Sequence, residues 1–454
     1  MAAATTQPRV MVLPFPAQGH VIPLMKLSQK LVEHGLEVDF VNTEFNHGRV
    51  LEALAEEEGA EAIPRGIHML SVPDGLGPAD DRADIGKFVK DLPAAMSAPL
   101  QELIRSRETK WVIADVSMSW ALELASAAGA CVASFSTYSA AVFALRLSVP
   151  KLIADGVIDG SGIVKRHRIQ QVPPLDAAEI PWVSLGSTPE RRRINVQNVL
   201  RTNQWIPLAE TVICNTSMEM EPDALSLLPN TLPLGPLVAR KSRLAGSFLP
   251  EDETCLAWLD AQAPGSVVYV AFGSTGVLGA AQLQELADGL AIAGRPFLWV
   301  VRRPAGAGEE DEEWLDAFRR RADGALGMVV GWAPQQRVLA HPAVACFVSH
   351  CGWNSTVEGV LHGVPLLCWP YFADQFCNQS YVCNVWGTGV KLCRDEGRGV
   401  VAKEEIRHKV ARLLGDGVVK ARAAMWKKAA SDSIREGGSS HGNLLKLVEL
   451  LREQ

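Results

Sequence analysis

The chain reads as an α/β protein made of two doubly wound, Rossmann-like halves. Short apolar runs of strand length alternate with amphipathic runs of helix length, first over residues 9–215 and again over residues 267–436. Such alternation means a parallel sheet covered by helices. A polar stretch, Leu237–Asp252, with Pro236 and Pro250 at its edges, separates the two series. At 454 residues the chain exceeds one ordinary core. The expected organisation is a first domain at 1–240, a linker at 241–252, a second domain at 253–436 and a terminal helix at 437–454.

Each element has a local reason. Arg9–Pro14 is an apolar opening strand, followed by Gly19-His20 and an amphipathic helix from Val21 to His34, with Pro23 tolerated in its first turn. Leu36–Asn42 is the next strand. A helix at Phe45–Glu58, a strand at Ile67–Val72, a helix in Ile85–Arg105 and a strand at Trp111–Asp115 continue the pattern. A helix from Ser119, a strand at Cys131–Phe135 and a helix from Thr137 to Leu152 follow. Residues Asp155–Ile206 read as irregular, and Thr211–Asn215 returns to strand. The second series runs Val267–Phe272, helix 280–293, Phe297–Val301 and Met328–Val330. Helices from Lys403 to Glu436 close it, and Ser439–Gln454 is a last helix opened by a Ser-rich cap.

The stretch Trp332–Gln375 carries the densest chemistry: WAPQQRVLAHPAVACFVSHCGWNSTVEGVLHGVPLLCWPYFADQ. Ala345–Ser349 is a buried parallel strand by composition. His350-Cys351-Gly352 then leads to a helix at Val357–His362, with Asn354 or Ser355 as N-cap and Glu358 in or near the first turn. A strand opening through Gly onto a helix N-terminus is an anion site, because unbonded amides and the helix dipole point out of it. Pro365–Trp369 is a second strand. Asp374 and Gln375, beyond it, are acceptor-rich groups suited to a polyol.

Composition narrows the function. Hydrophobic content of 48% with 21% charged residues is globular. A net charge of −7 argues against nucleic acid or an anionic membrane as main partner. The basic triplets Arg191–Arg193 and Arg319–Arg321 and the acidic run Glu309–Glu313 read as solvated faces. Nine cysteines without a C-x-x-C pair suit a reducing compartment. The uncharged run Leu124–Leu145 is long enough to span a bilayer but is dominated by Ala, Ser and Gly and split by Gly129, so no span is expected. The start, MAAATTQPRVMVLPF, lacks a signal-peptide pattern, and a cytoplasmic location is expected. There is no G-x-G-x-x-G, G-x-x-x-x-G-K-[ST] or H-E-x-x-H, and no D-x-D pair to hold a divalent cation on a diphosphate.

His20 and Asp115 each fall at the carboxyl end of a predicted strand, where open α/β sheets bind ligands. An imidazole near a carboxylate is the arrangement that positions a general base. On spacing alone, the simpler reading is that His20 caps its helix and Asp115 ends its strand. For residues of the Trp332–Gln375 stretch taken singly, core packing or capping is the alternative, and Trp369 and Trp386 are assigned to the core.

Three stretches, Trp332–Gln375, Cys255–Ser274 (CLAWLDAQAPGSVVYVAFGS) and Phe15–Leu24 (FPAQGHVIPL), resemble the plant secondary-product UDP-glycosyltransferases. The resemblance implies the GT-B fold, two such halves across a cleft, with the terminal helix returning to the first. It implies that His20 is the catalytic base and Asp115 its partner, FPAQGH and VIAD matching the family. It places Trp332 on uracil with Ala333 beside it, Gln335 and Glu358 on ribose, and His350, Asn354, Ser355 and Ser274 on the diphosphate. It places Thr137, Trp353, Asp374 and Gln375 on the sugar, Gln at the last position pointing to glucose and His to galactose. The implied reaction is inverting, metal-independent transfer of glucose from UDP-glucose to a hydroxyl of a small, largely apolar acceptor, with no cofactor. A flavonoid or other phenolic is the expected acceptor, and a terpenoid or hormone or another UDP-sugar the alternative. Segments Leu76–Leu92, Thr137–Val149 and Pro181–Trp205, with Phe88, Phe143, Trp182 and Trp205, are expected to hold it. Small-molecule substrates are the only partners expected, for a monomer. A non-catalytic nucleotide-sugar-binding regulator is the rival; it would lose the His20–Asp115 pair, which this chain keeps.

Overall fold

A computed structural model describes residues 8–56, 63–77, 80, 82, 85–165, 168–169, 175–185, 188–238, 246–274, 276, 278–302, 318, 326–395 and 397–453. The chain divides into two compact units, Met1–Pro250 with Asp432–Gln454, and Glu251–Ser431.

In the first unit the strands are β1 (Arg9–Leu13), β2 (Glu37–Thr43), β3 (Ile67–Val72), β4 (Trp111–Asp115), β5 (Cys131–Ser136), the short antiparallel pair β6 (Arg168–Ile169) and β7 (Leu175–Asp176), then β8 (Thr211–Cys214) and β9 (Thr231–Pro233). Seven of them form one sheet in the order β3-β2-β1-β4-β5-β8-β9. All its pairs are parallel, with Val10 opposite both Val38 and Trp111. Both faces are covered, so the strands are apolar on both sides. Val10 and Val12 pack against Leu24, Leu27 and Leu31 of helix Gln18–Glu33. Met11 and Leu13 pack against Leu92, Met96 and Leu100 of helix Ile85–Ser106.

The chain's last helix, Ser439–Arg452, belongs to this unit. Its Leu444, Leu447, Val448 and Leu451 enter the core that holds Val10, Val12, Leu234 and Leu237. Ser440 Oγ donates to the Gly235 carbonyl (2.6 Å) and Asn443 Nδ2 to that of Pro233 (2.8 Å).

In the second unit β10 (Val267–Ala271), β11 (Phe297–Val300), β12 (Gly327–Val330), β13 (Val344–Ser349), β14 (Leu366–Cys368) and β15 (Gly389–Lys391) form a parallel sheet in the order β12-β11-β10-β13-β14-β15. Val268, Val270 and Phe272 pack with Leu286 and Leu290 of helix Ala280–Ala293 and with Ile406, Val410 and Leu413 of helix Lys403–Gly415. The sheet orders reverse between β1 and β4 in the first unit and between β10 and β13 in the second. Each reversal is a topological switch point, the place where an open sheet accepts ligands.

Several boundaries move from expectation. The first helix begins at Gln18, so His20 lies within it and Pro23 falls in the second turn, not the first. The helix expected from Thr137 to Leu152 starts at Ala140 and is divided at Ser148 into Ala140–Leu147 and Val149–Ala154. The stretch read as irregular contains helix Pro189–Asn203, which carries Arg191–Arg193. Its polar composition hid it, although Thr188 caps Arg191 N and Pro189 opens it, both readable start signals. The last helix is capped by Gly438 rather than by a serine. The two units divide at Pro250, inside the stretch expected as linker, and again at Ser431. Leu124–Leu145 folds as the end of helix Trp120–Ala127, β5 and most of helix Ala140–Leu147. No helix among the described residues is long and apolar enough to cross a membrane. Glu309–Glu313 and Arg319–Arg321 lie outside the described residues.

Candidate active site

At the first switch point, β1 and β4 deliver His20 and Asp115 to one another. The His20 Nδ1–H donates to Asp115 Oδ2 at 2.7 Å, and Thr137 Oγ1 lies 3.0 Å from the same nitrogen. That leaves Nε2 as the nitrogen able to take a proton. The Asp115 side chain is fully buried and that of His20 is 18% exposed, so the ring is reachable while its partner is shielded. The other carboxylate oxygen, Asp115 Oδ1, accepts from Ser117 N at 2.7 Å, which caps the short 3-10 turn Val116–Met118. The carboxylate is thus fixed from two directions, and it in turn fixes the ring.

Two aromatic groups frame the imidazole, neither of which the sequence alone singled out. Phe15 meets it edge-to-face at 5.1 Å and Tyr138 at 6.0 Å. Phe88 packs on Phe15 at 6.1 Å. The signal was available: Phe15 opens the FPAQGH segment and Tyr138 follows Thr137. By contrast Phe143 and Trp182, expected near the acceptor, are interior residues, each 1% exposed. Trp182 Nε1 is bound to the Gly162 carbonyl, and Trp205 Nε1 to Glu123.

At the second switch point the helix is Trp353–His362, capped by Gly352 without a side-chain cap. Asn354 and Ser355 are therefore in its first turn, not at its cap, and Glu358 is in the second. β10 pairs parallel with β13, so the loop that follows β10, where Ser274 sits, lies at the same end of the sheet as this helix start. Cys351 adopts a left-handed φ of 64°, which turns the chain sharply from β13 into the helix.

His350 occupies the switch point itself, and its room depends on two glycines. A Cβ on Gly273 would lie 2.5 Å from His350 Nε2, and one on Gly352 2.4 Å from it. Burial pushes the His350 pKa down to about 4, with the Ala271 backbone pulling weakly the other way. The adjoining helix N-terminus also disfavours a cation. His350 is thus a neutral imidazole at neutral pH.

Glu358 is 6% exposed and closely held. Gln335 Nε2 donates to its Oε2 at 2.8 Å and to Ser355 Oγ at 2.9 Å, and Gln336 Nε2 to its Oε1 at 3.2 Å. Tyr269 OH reaches Gln335 Oε1 at 3.4 Å. Gln336 was missed, though it adjoins Gln335.

The remaining candidates fall on both sides of the line between site and scaffold. Trp332 is half-buried and Ala333 buried, and the Trp332 carbonyl accepts from Asp252 N at 3.0 Å. Trp353 is 2% exposed, its indole packed on Trp386 at 6.1 Å, so its side chain is core. Asp374 Oδ2 accepts from Asn378 Nδ2 at 2.7 Å. Gln375 Oε1 accepts from the Tyr371 and Phe372 amides at 3.0 and 3.2 Å, so whatever this side chain offers a ligand comes from its N–H2. Trp369 and Trp386 lie in the interior.

A family model described as UDP-glucoronosyl and UDP-glucosyl transferase matches residues 216–423, and one described as the glycosyltransferase N-terminal domain matches residues 7–171. UDP-glycosyltransferase 83A1 of Arabidopsis thaliana is 40% identical over 99% of this chain and 97% of that protein. A 7-deoxyloganetin glucosyltransferase of Gardenia jasminoides is 32% identical over 97% of this chain and 96% of that protein. Among solved structures, Os79 of O. sativa in complex with UDP superposes with a TM-score of 0.81 at 28% identity, covering 97% of this chain and 100% of that one. The chain therefore belongs to the plant UDP-glycosyltransferases, enzymes of the two-domain GT-B fold that transfer a sugar from a UDP-sugar to a small acceptor.

Proposed function

We propose that this enzyme transfers glucose from UDP-glucose to a hydroxyl of a flat, largely apolar acceptor, with inversion and without a metal ion. The observation that carries the reading is the hydrogen bond between His20 Nδ1–H and Asp115, which leaves Nε2 as the base. Nε2 takes the proton from the acceptor hydroxyl, and Asp115 stabilises the imidazolium that forms. The oxygen attacks the anomeric carbon on the face opposite UDP, which inverts that carbon.

The leaving diphosphate needs its charge met. The first-turn amides of Trp353, Asn354 and Ser355, the loop at Ser274 and the His350 imidazole supply neutral donors for it. Donors fixed in advance cost no reorganisation during reaction. Metal independence rests on this and on the missing D-x-D pair. Glu358 takes the ribose hydroxyls, Trp332 stacks on uracil, and Thr137, Asp374 and Gln375 take sugar hydroxyls, Gln375 favouring glucose.

Phe15 and Tyr138 around His20, with Phe88 behind Phe15, favour an aromatic acceptor, since rings prefer edge-to-face partners at such separations. A terpenoid acceptor is the second reading, favoured by the 7-deoxyloganetin glucosyltransferase relative. The test is a panel of phenolic and terpenoid alcohols with UDP-glucose and UDP-galactose, with and without EDTA, read by mass spectrometry. Transfer confined to phenols and UDP-glucose, unaffected by EDTA, is expected. Transfer to terpenoids alone, or restored only by added magnesium, overturns the corresponding part.

A further inference from the structure

Glu221 lies in the loop after β8, fully buried, and takes no part in the chemistry described so far. Its Oε2 accepts from Ala140 N at 2.9 Å and its Oε1 from Ala141 N at 3.1 Å. Both amides belong to the first turn of helix Ala140–Leu147, and Ser139 Oγ takes the next one, Val142 N, at 3.3 Å. A carboxyl group removed from water is costly unless its hydrogen bonds are met. Here they are met by one specific helix start, to which a capping serine already contributes.

What that helix start carries explains the investment. Thr137, Tyr138 and Ser139 are the whole connection between β5 and the helix. Thr137 Oγ1 is 3.0 Å from His20 Nδ1. Tyr138 stands edge-on to the His20 ring, and its hydroxyl is 3.3 Å from Ser117 Oγ, next to the amide that holds Asp115. A three-residue connection anchored at both ends has little slack, so its far anchor sets where these groups stand.

We propose that Glu221 is a positioning residue for the catalytic base, acting through the Thr137–Ser139 turn. The proposal rests on the assignment of His20 as base. Glu221→Gln is nearly isosteric but presents one acceptor and one N–H2 to two amides that both donate, so one contact becomes repulsive. The turn then loosens, and the His20 ring loses its fixed orientation.

The experiment is steady-state kinetics of full-length Glu221→Gln with phenols of graded acidity at saturating UDP-glucose, beside a UDP titration. The expected result is a kcat loss of about ten-fold for weakly acidic phenols, shrinking toward none for phenols ionised at the assay pH, with UDP affinity unchanged. An ionised acceptor needs no base, so a merely structural defect would lower all acceptors alike. Equal loss across the series, or no loss, overturns the proposal. Should Glu221→Gln fail to fold, Ser139→Ala loosens the same turn without setting a buried N–H2 against a backbone N–H, and the same acidity-graded pattern is required of it. In a His20→Ala background either substitution should cost nothing further. If His20→Ala itself keeps kcat, the base assignment fails. If His20→Ala collapses kcat and the second substitution still adds its full loss, only the positioning role fails.

Discussion

The two sheets place a histidine at the same topological point and make two different groups of it. His20, after β1, has a buried carboxylate on Nδ1 and an edge open to solvent. His350, after β13, lies between two glycines and has its pKa pushed down to about 4 by burial. The fold supplies the position; the neighbours decide whether the imidazole is held on a buried carboxylate or kept neutral by burial. A strand end alone, read without its neighbours, does not distinguish the two.

The largest effect should come from the histidine with the carboxylate. His20→Ala should lower kcat by about 10²–10⁴-fold, with UDP affinity unchanged by calorimetry. Asp115→Ala should cost a similar order, and the double mutant little more than His20→Ala, because groups acting as a unit are non-additive. Strictly additive losses would break the pairing, and a near-normal kcat in His20→Ala would dissolve the contrast altogether.

Next in size is a pH effect of opposite sign in the two units. His350 titrates near 4 when folded against an ordinary 6.5, so the unfolded chain binds more protons between those values. The second unit should hold this stability above 6.5 and lose it as pH falls toward 4, by about 3 kcal/mol. Glu221 behaves in reverse: burial raises its carboxyl from 4.5 to about 7. The first unit should gain from it below 4.5 and lose as pH rises through 7, again by about 3 kcal/mol. Whole-chain melting would partly cancel the two. Hydrogen exchange resolved by unit, between pH 4.5 and 7.5, separates them, and parallel trends in both units would contradict the contrast.

A smaller loss is expected at Glu358→Ala, which removes the acceptor of the Gln335 and Gln336 amides along with the proposed ribose contacts. UDP affinity should fall by roughly 2 kcal/mol, with acceptor KM unaffected; unchanged UDP affinity would take Glu358 off the nucleotide. Smaller still, Gly352→Ala puts a Cβ against the His350 ring and should weaken UDP by about ten-fold, or about 1.4 kcal/mol. A neutral outcome would show that the ring yields without loss and that its placement is not tuned.

Much of this was legible in the sequence for a physical reason. Strands such as Trp111–Asp115 and Val267–Ala271 are buried on both faces, so their apolar runs stand out, and the residues just past them are marked by Gly, Pro and polar groups. Helix starts were less legible. The Trp353–His362 helix begins at a glycine cap with no side-chain bond, and a search for Asn or Ser caps places it late. Nor could local sequence tell that Trp353 is core, or that Glu221, some 80 residues away, closes the helix at Ala140. Those facts depend on which segments tertiary packing brings together.

The terminal helix has a consequence for how the protein is made. Leu444, Leu447, Val448 and Leu451 complete a core begun by Val10 and Val12. A ribosome delivers Val10 first and Leu451 more than 400 residues later, at about 5–20 residues per second. The first unit to emerge is therefore the last to be finished. The whole of Glu251–Ser431 can emerge while the apolar face awaiting that helix stays uncovered. For some tens of seconds a nascent chain carries an exposed apolar patch, and a stop codon just before residue 439 would make that exposure permanent.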